Sequence, residues 1–459
     1  MVLLKTKLIK YSDRTKIVLK VDLIIRNAAQ LVTCAAKGKT KRCAEMRNVG
    51  IIENGALAIS GGVIIGVGKS DIVTKNYESE NVINANGKVV CPAFVDPHTH
   101  IVFAGDRLNE FELKIRGADY LEILENGGGI ISTVRQTREA DLNDLVEQSR
   151  RRLDKMLAHG TGTAEIKTGY GLDTETELKM LEAVAELDKI HQVDVVPTFL
   201  PAHTFPPEYK SVQSPKPEVE NRPDDYVDLI CDEMLPKAID WFKNSHFYKK
   251  QANRAPLAAY QFFADVFCEK NAFDLEQSRR VLETAKRLGY KLKAHVDEFT
   301  NLGCARLAIG LGATSIDHLD AISDEEIALL AASETVGIVT PTVNFNFGAT
   351  HFADARKMVD AGCAIAVSTD YNPGSAPCPS QPMAMAIACR YQKLTPSETL
   401  NAITINAAFA IGLGAVVGSL EVGKQADILI LDTDDYRQLA YEFGGNCVQS
   451  VVKKGRIVA

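Results

Sequence analysis

The sequence lacks several features that would each point to a class of protein. None of its ten cysteines forms a Cys-x-x-Cys pair, which argues against zinc ribbons and thioredoxin-type redox sites. The formal net charge is −7, and no basic stripe exceeds short clusters such as 37–42, so a nucleic-acid partner is not expected. No run of about 18 apolar residues occurs, so a membrane partner is not expected either.

The N-terminal region also lacks the marks of an export signal. Charged residues interrupt the short apolar run of residues 1–20, and no small-residue cleavage site follows it. Cysteines that are scattered along the chain are typical of buried thiols in a reducing compartment. With 46% hydrophobic and 24% charged residues the composition is that of an ordinary globular protein. These features predict a cytoplasmic protein that acts on a small-molecule substrate.

Both ends of the chain are rich in short strands and turns. The predicted strands are Val21–Arg26, Gly55–Ile59, Val63–Val67, Lys88–Val90, Ala426–Leu431, Cys447–Val452 and Arg456–Val458. Turn dipeptides such as Asn54-Gly55 and Asn86-Gly87 separate the strands at the N-terminal end. This texture predicts a small β-sandwich domain built from residues 1–90 and 415–459.

The middle of the chain alternates short apolar runs with amphipathic helical patterns. The runs are Val89–Val95, Gly162–Ile166, Val193–Leu200, Phe262–Cys268, Leu292–Val296, Thr314–His318, Val336–Pro341 and Ala364–Thr369. The clearest helical patterns are Asp141–His159, Thr174–His191, Asp274–Leu288 and Ser323–Ala332. Eight strand–helix units predict an α/β fold, a TIM-like (β/α)8 barrel over residues 91–414. An open doubly wound sheet is the alternative, but no Gly-x-Gly-x-x-Gly follows the first strand.

Two polar stretches interrupt this alternation around the helix before the fourth strand. They are Lys210–Asp225 and Asn244–Ala255, and both are expected to be surface insertions.

A His-x-His pair ends the first predicted barrel strand, at His98 and His100. Residues two apart on a strand point to the same side, so the two imidazoles can converge on one point. Converging neutral imidazoles suit a zinc-type ion. Alone, such a pair is equally consistent with two hydrogen-bonded polar side chains at a strand end.

The other polar strand ends strengthen the case for a metal site. The chain has only nine histidines. His203 follows the third strand, His295 and His318 end the fifth and sixth strands, and Asp370 ends the eighth. The carboxyl ends of barrel strands meet at one mouth, where active sites form. The sequence therefore predicts that these residues gather at one place.

The predicted set has the chemistry of a metal-dependent hydrolase. His98, His100, His295 and Asp370 can supply three nitrogens and one carboxylate to a single divalent ion and leave a position for water. Asp370 can then move a proton from that water to a leaving nitrogen. His318 can donate to an oxyanion, and Glu298 can bond to a substrate N–H or shuttle a proton.

Two further residues near the predicted mouth have competing interpretations. Arg107 follows His100 closely and can bind a substrate carboxylate in a bidentate fork, or it can be an arginine paired on the surface. Tyr170 lies in Thr168-Gly169-Tyr170-Gly171, where it can line the mouth or pack over a turn. Glu298 itself can instead be an acidic residue at the start of a helix.

The Val-Asp-x-His-x-His strand end, with the later histidines and Asp370, resembles the amidohydrolase superfamily. Within it the sequence is most similar to the imidazolonepropionase family. The segments that carry this second likeness are residues 102–111, 164–172, 197–200, 294–299 and 368–375. The C-terminal segment 418–427 fits the flanking domain of the superfamily.

The resemblance implies a reaction, an ion and a set of site residues. The reaction is hydrolysis of 4-imidazolone-5-propanoate to N-formimidoyl-L-glutamate in histidine catabolism, with one zinc or iron ion and a homodimeric enzyme. His98, His100, His295 and Asp370 match the metal ligands of the family. The positions that match substrate contacts are Arg107, Tyr170, His203, Glu298, Asn372, Gly374 and Ser375.

Some alternatives stay open at this point. Another ring aminohydrolase of the superfamily would share the metal site but have less need of Arg107, and a non-catalytic scaffold would usually have lost ligands. Glu269 stands where relatives with two metals often carry a modified lysine, which favours one ion but leaves a second one conceivable. The stretch around 241–256 is longer than is usual for the family.

Overall fold

The computed structural model describes residues 18–117, 128–209, 222–252 and 262–459. Most of the first predicted insertion, and the end of the second, lie outside these residues. The described parts of the two insertions contribute the helices Pro223–Leu229 and His246–Ala252.

The middle of the chain forms a parallel β-barrel surrounded by helices. Its sheet contains nine strand segments, of which two are pieces of one strand, so eight barrel strands result. In order they are Phe94–Asp96, Thr161–Lys167, Asp194–Ala202, Phe263–Cys268, Lys291–Leu292 with His295–Val296, Ser315–His318, Val336–Val339 and Ala364–Val367. We call them the first to the eighth barrel strand. The predicted (β/α)8 barrel is confirmed.

The barrel closes between its first and eighth strands through polar contacts. Thr99 and Tyr371 form a parallel bridge just beyond the two strand ends. The hydroxyl groups of Ser368 and Thr369 donate to the two carboxylate oxygens of Asp96, at 2.6 and 2.5 Å. These bonds hold the loop after the eighth strand against the end of the first strand.

The helices begin and end near the residues that the sequence signals predict. Asp141, Asp173, Asp274 and Ser323 each accept a backbone N–H of the first helical turn, as N-cap residues do. The helices of the barrel region are Leu108–Ile115, Ile130–Glu139, Leu142–Ala158, Thr174–Ile190, Pro223–Leu229, Leu235–Asn244, His246–Ala252, Leu275–Leu288, Cys304–Leu311, Asp324–Ala331, Pro341–Asn346, Ala355–Ala361, Gln381–Tyr391, Pro396–Ala402 and Ile405–Ala410. They cover barrel strands whose residues are almost all buried, as expected for a parallel sheet enclosed on both faces.

A mixed β domain is assembled from both ends of the chain. Its main sheet has eight strands, Leu23–Val32, Ile51–Ser60, Val63–Lys69, Val82–Asn84, Val89–Pro92, Ile428–Leu431, Val448–Lys453 and Arg456–Ile457. A two-stranded sheet, Leu19–Lys20 with Tyr77–Glu78, and two short helices, Ser70–Asn76 and Gln438–Tyr441, accompany it. The apolar residues between the strands form a core of their own.

The apolar run Val89–Val95 is two strands rather than one. Val89–Pro92 pairs with Ile428–Leu431 in the β domain, and Phe94–Asp96 begins the barrel one residue later. Both halves of the run are apolar. The hydropathy pattern therefore does not show that one half pairs in the β domain and the other in the barrel.

No helix in the described parts of the chain combines the length and the apolar character needed to cross a bilayer.

Candidate active site

The predicted site residues lie together at the carboxyl ends of the barrel strands. His295 and His318 lie in the fifth and sixth strands, and the others follow a strand by a few residues. Because such strand ends meet at one mouth, residues far apart in sequence become neighbours. The residues collected there are His98, His100, Tyr170, His203, His295, Glu298, His318 and Asp370.

The donor atoms of four of these side chains follow one another at short distances. The Nε2 atom of His100 lies 3.2 Å from Nε2 of His98 and 3.3 Å from Nε2 of His295. The Oδ1 atom of Asp370 lies 3.4 Å from Nε2 of His98 and 3.6 Å from Nε2 of His100. Neighbouring ligands around a tetrahedral zinc-type ion are about 3.3 Å apart. Among the described residues, His98, His100 and Asp370 therefore have the mutual spacing of metal ligands. His295 forms two further groups of this kind, one with His98 and His318 and one with His100 and His203.

The surroundings of these donors also fit a cation. The Oδ1 atom of Asp370 is buried and has no hydrogen-bond partner within the described structure. Burial, and then the nearby Lys167 and other histidines, hold the pKa of His98 well below its ordinary value, and burial does the same to the pKa of His100. Both imidazoles are thus neutral at pH 7, which is the form that binds a metal.

Three buried charged residues lie behind the histidines. Asp317 accepts a hydrogen bond of 2.7 Å from Nδ1 of His98, and Asp265 lies 3.1 Å from Nδ1 of His295, within ion-pair distance but without hydrogen-bond geometry. The ammonium group of Lys167 lies 2.6 Å from Asp265 and 3.4 Å from Asp317. Carboxylates that bind the outer nitrogen of a histidine turn its other nitrogen toward the metal.

A second pair of polar groups lies beside the four donors. Nδ1 of His318 pairs with the hydroxyl of Thr340 at 3.0 Å, and its Nε2 lies 3.9 Å from Glu298. Burial, reinforced by Asp370, raises the pKa of Glu298 well above its ordinary value. His318 adopts a left-handed backbone (φ +83°), as Asp370 does (φ +46°), a conformation that is costly for such residues and is often found at functional sites.

An aromatic wall borders the site on the side of the second and third strands. The ring of His203 stacks on His100, with centroids 4.9 Å apart, and its Nδ1 pairs with the carbonyl of Gly169 at 3.0 Å. The ring of Tyr170 lies 5.4 Å from His203 and 6.0 Å from His100. Burial lowers the pKa of His203 to about 3, so this imidazole is neutral.

Arg107 meets the loop after the eighth strand. A side chain added at Gly374 would lie 2.0 Å from Nη1 of Arg107, so the guanidinium occupies the space that a β-carbon would fill. Asn372 holds this loop in shape: its amide donates to Ser375 Oγ at 2.7 Å, and its carbonyl oxygen accepts the N–H of Gly374 and of Ser375. Asn372 and Ser375 therefore bind each other here.

Glu269 holds a loop of the mouth. Its carboxylate accepts the N–H of Phe299 at 3.0 Å and of Thr300 at 3.1 Å, and it also binds the Thr300 hydroxyl. It belongs to none of the metal-type groups in the described parts of the chain. Its contacts fix the residues that follow Glu298.

The sequence interpretation did not single out Lys167, Asp265 and Asp317. All three are charged residues inside buried barrel strands, and their side chains are fully buried. A charged residue at an inward position of a buried strand needs partners there. The presence of a charged residue in a segment predicted to be a buried strand was the signal by which these three could have been found.

A family model and curated relatives match nearly the whole chain. The model described as the amidohydrolase family matches residues 89–458. The imidazolonepropionase of Chloroflexus aggregans is 51% identical over 437 residues, which are 95% of this chain and 98% of that protein. The imidazolonepropionase of Herpetosiphon aurantiacus is 47% identical over 437 residues, covering 95% of this chain and 97% of the relative.

Solved structures show the same fold at low identity. An adenosine deaminase from Xanthomonas campestris with bound zinc has a TM-score of 0.68 and 19% identity, covering 96% of this chain and 93% of its own. The guanine deaminase of E. coli has a TM-score of 0.66 and 16% identity, covering 95% of this chain and 98% of its own. At such identities the likeness concerns the fold alone.

Proposed function

The chain belongs to the amidohydrolase family and, within it, to the imidazolonepropionases, and from this premise we propose how its own residues perform the reaction. The reaction is hydrolysis of a cyclic amide C–N bond in 4-imidazolone-5-propanoate, which yields N-formimidoyl-L-glutamate. Water supplies a hydroxyl to the ring carbonyl carbon and a proton to the departing nitrogen. The observation that supports it most is the set of contacts of 3.2–3.6 Å that His100 makes with His98, His295 and Asp370 and that His98 makes with Asp370.

We propose that this donor set holds one zinc or iron ion. His98, His100 and His295 supply neutral nitrogens, and Asp370 supplies an oxygen without another partner in the described structure. When bound, such an ion lowers the pKa of a coordinated water toward about 7 and polarises a carbonyl group. The contacts of Glu269 with the loop after the fifth strand support one ion rather than two.

Asp370, His318 and Glu298 are the proposed catalytic residues. Asp370 takes the proton of the attacking water and returns it to the leaving nitrogen, since burial and its position at the centre suit a general base. The Nε2 atom of His318, which is unpartnered within the described structure, donates to the oxygen of the carbonyl under attack. Glu298, whose pKa burial raises, bonds to a substrate N–H or shuttles a proton to a ring nitrogen.

The substrate carboxylate determines the remaining assignments. Arg107 is the one proposed site residue with a permanent positive charge, and guanidinium groups bind carboxylates in a fork. Tyr170 and His203 form the wall against which a planar ring can stack. The loop that holds Asn372, Gly374 and Ser375 meets Arg107, which supports a substrate position between that loop and the metal donors.

The test is direct turnover. Enzyme loaded with zinc or iron should remove the absorbance of the imidazolone and form N-formimidoyl-L-glutamate without release of ammonia. A metal-loaded, folded preparation that leaves this substrate untouched, or that deaminates a purine or pyrimidine instead, would refute the proposal.

A homodimer and a cytoplasmic location are proposed on the basis of the family. All ten cysteines are free, which is in keeping with a reducing compartment. Light scattering of the purified protein tests the dimer, and fractionation of cells tests the location.

A further inference from the structure

The carboxylate of Glu110 binds the guanidinium of Arg107 along one edge. It accepts from Nε at 2.7 Å and from Nη2 at 2.5 Å, so it binds one complete edge of the group. Two parallel charge-assisted bonds of this kind fix both the position and the plane of a guanidinium. Within the described residues no hydrogen bond of Arg107 uses the remaining edge, formed by Nη1 and Nη2, so this edge is available to another anion.

Two further contacts hold Glu110 itself in place. It accepts the backbone N–H of Gly129 at 2.8 Å and binds the ammonium of Lys114 at 2.6 Å. Its side chain is only 5% exposed. Burial alone would raise the pKa of Glu110, but Arg107, Lys114 and Gly129 hold that pKa at about 2, so the group is ionised at neutral pH. Arg107, Lys114 and the ionised Glu110 together carry a net charge of +1.

Gly374 leaves space on the other side of the guanidinium. Its missing β-carbon would lie 2.0 Å from Nη1 of Arg107. The Nη1 end of the guanidinium therefore borders the loop after the eighth strand.

We infer that Glu110 is a positioning residue which holds Arg107 with its free edge ready for the carboxylate tail of the substrate. This inference rests on the proposed function, since it takes Arg107 to be the carboxylate receptor. Glu110 touches neither the metal donors nor the reacting ring. Its effect is therefore on substrate affinity and on the preference for a charged tail.

The variant Glu110→Gln tests the inference with almost no change of shape. An amide presents one acceptor and one donor, so it cannot accept both bonds of the fork. We expect KM for 4-imidazolone-5-propanoate to rise about tenfold or more, the size of one lost charge-assisted bond. The kcat value and the metal content should stay close to those of the wild type.

An analogue of the substrate with a carboxamide in place of the carboxylate provides the specific readout. Glu110→Gln should leave kcat/KM for this neutral analogue nearly unchanged, so the preference for the charged substrate falls. A general structural defect would lower both values together. Glu112→Gln is the matched control, because Glu112 lies on the same helix, is exposed and pairs with Arg116.

The variant Arg107→Lys shows whether Glu110 acts through the guanidinium. In that background Glu110→Gln should have little further effect, since lysine has no fork to be held. An unchanged preference for the charged substrate in Glu110→Gln, or fully additive effects in the double variant, would overturn the inference.

Binding of glutarate, measured by calorimetry, separates this inference from the proposed reaction. Glutarate carries the same kind of tail and requires no turnover. Wild-type protein should bind it, and Glu110→Gln should bind it about tenfold or more weakly. Equal affinities, or no binding to the wild type, would count against the inference whether or not the imidazolone is hydrolysed.

Discussion

The hydrogen bond between Asp317 and His98 offers a quantitative test of the metal site. Asp317→Asn is nearly isosteric: the amide oxygen can still accept from Nδ1 of His98, and the amide nitrogen can face the Ser315 hydroxyl, which now donates to the carboxylate at 2.7 Å. The change therefore removes a negative charge and leaves the geometry largely intact. It also takes one of three carboxylates from the surroundings of Lys167.

The expected magnitude follows from the role of such outer partners. Loss of a residue that orients a metal-binding histidine typically costs 10–100-fold in metal affinity, which is about 1.4–2.7 kcal/mol. The bond to His98 is short, buried and charge-assisted, so we expect a value within this range rather than below it. The substitution should lower the affinity for the metal, and not only the free energy of unfolding.

Competition with a chromophoric chelator measures this affinity for zinc in the wild type and the variant. Asp427→Asn is the matched control, because Asp427 is also a buried aspartate, bound to Lys453 in the β domain far from the site. Urea unfolding of the metal-free proteins separates stability from metal binding. A zinc affinity of Asp317→Asn within twofold of the wild type would refute the assigned role of Asp317.

Three further outcomes are expected. Removal of the ion by a chelator should abolish activity, and zinc or iron should restore it; activity that persists after complete removal, verified by elemental analysis, would contradict the metal site. Arg107→Ala should raise KM by roughly 30-fold, equivalent to about 2 kcal/mol, with unchanged metal content, and unaltered kinetics would remove Arg107 from substrate binding. Glu177→Gln should alter the pH dependence of stability. Burial raises the pKa of Glu177 to about 7, although the backbone N–H groups that it accepts from the Tyr170 loop lower this pKa. The wild type should therefore lose stability relative to the variant as the pH rises from 4.5 through 7, by about 3 kcal/mol at most. Urea titrations at pH 5 and pH 8, with the exposed Glu175→Gln as control, would contradict this if the difference between variant and wild type did not move.

The fold was largely predictable because its signals are local and repeated. Helix starts at Asp141, Asp274 and Ser323 depend on side chains three residues from their partners, and such signals stand in the sequence itself. Buried parallel strands likewise appear as short apolar runs. The split of Val89–Val95 was not predictable, since the partner that distinguishes its halves, Ile428–Leu431, lies at the other end of the chain.

The site was predictable in its histidines and much less so in its supports. His98, His295 and Asp370 stand at strand ends, where the barrel geometry alone brings them together. The contacts of Asp317 and Glu110 depend on side-chain direction across several strands or helices. The sequence shows such residues only as charges in unfavourable or unremarkable places.

The single residue between Val89–Pro92 and Phe94–Asp96 has a consequence for biosynthesis. Val89–Pro92 lies one residue before the barrel strand that leads to His98 and His100. Its partner, Ile428–Leu431, leaves the ribosome only after the whole barrel has been made. Contacts of such long sequence separation form late in folding. The nascent chain is therefore expected to acquire its ion after release rather than during translation, and a chain shortened before Ile428 should remain a poor acceptor of metal even though every ligand has been synthesised.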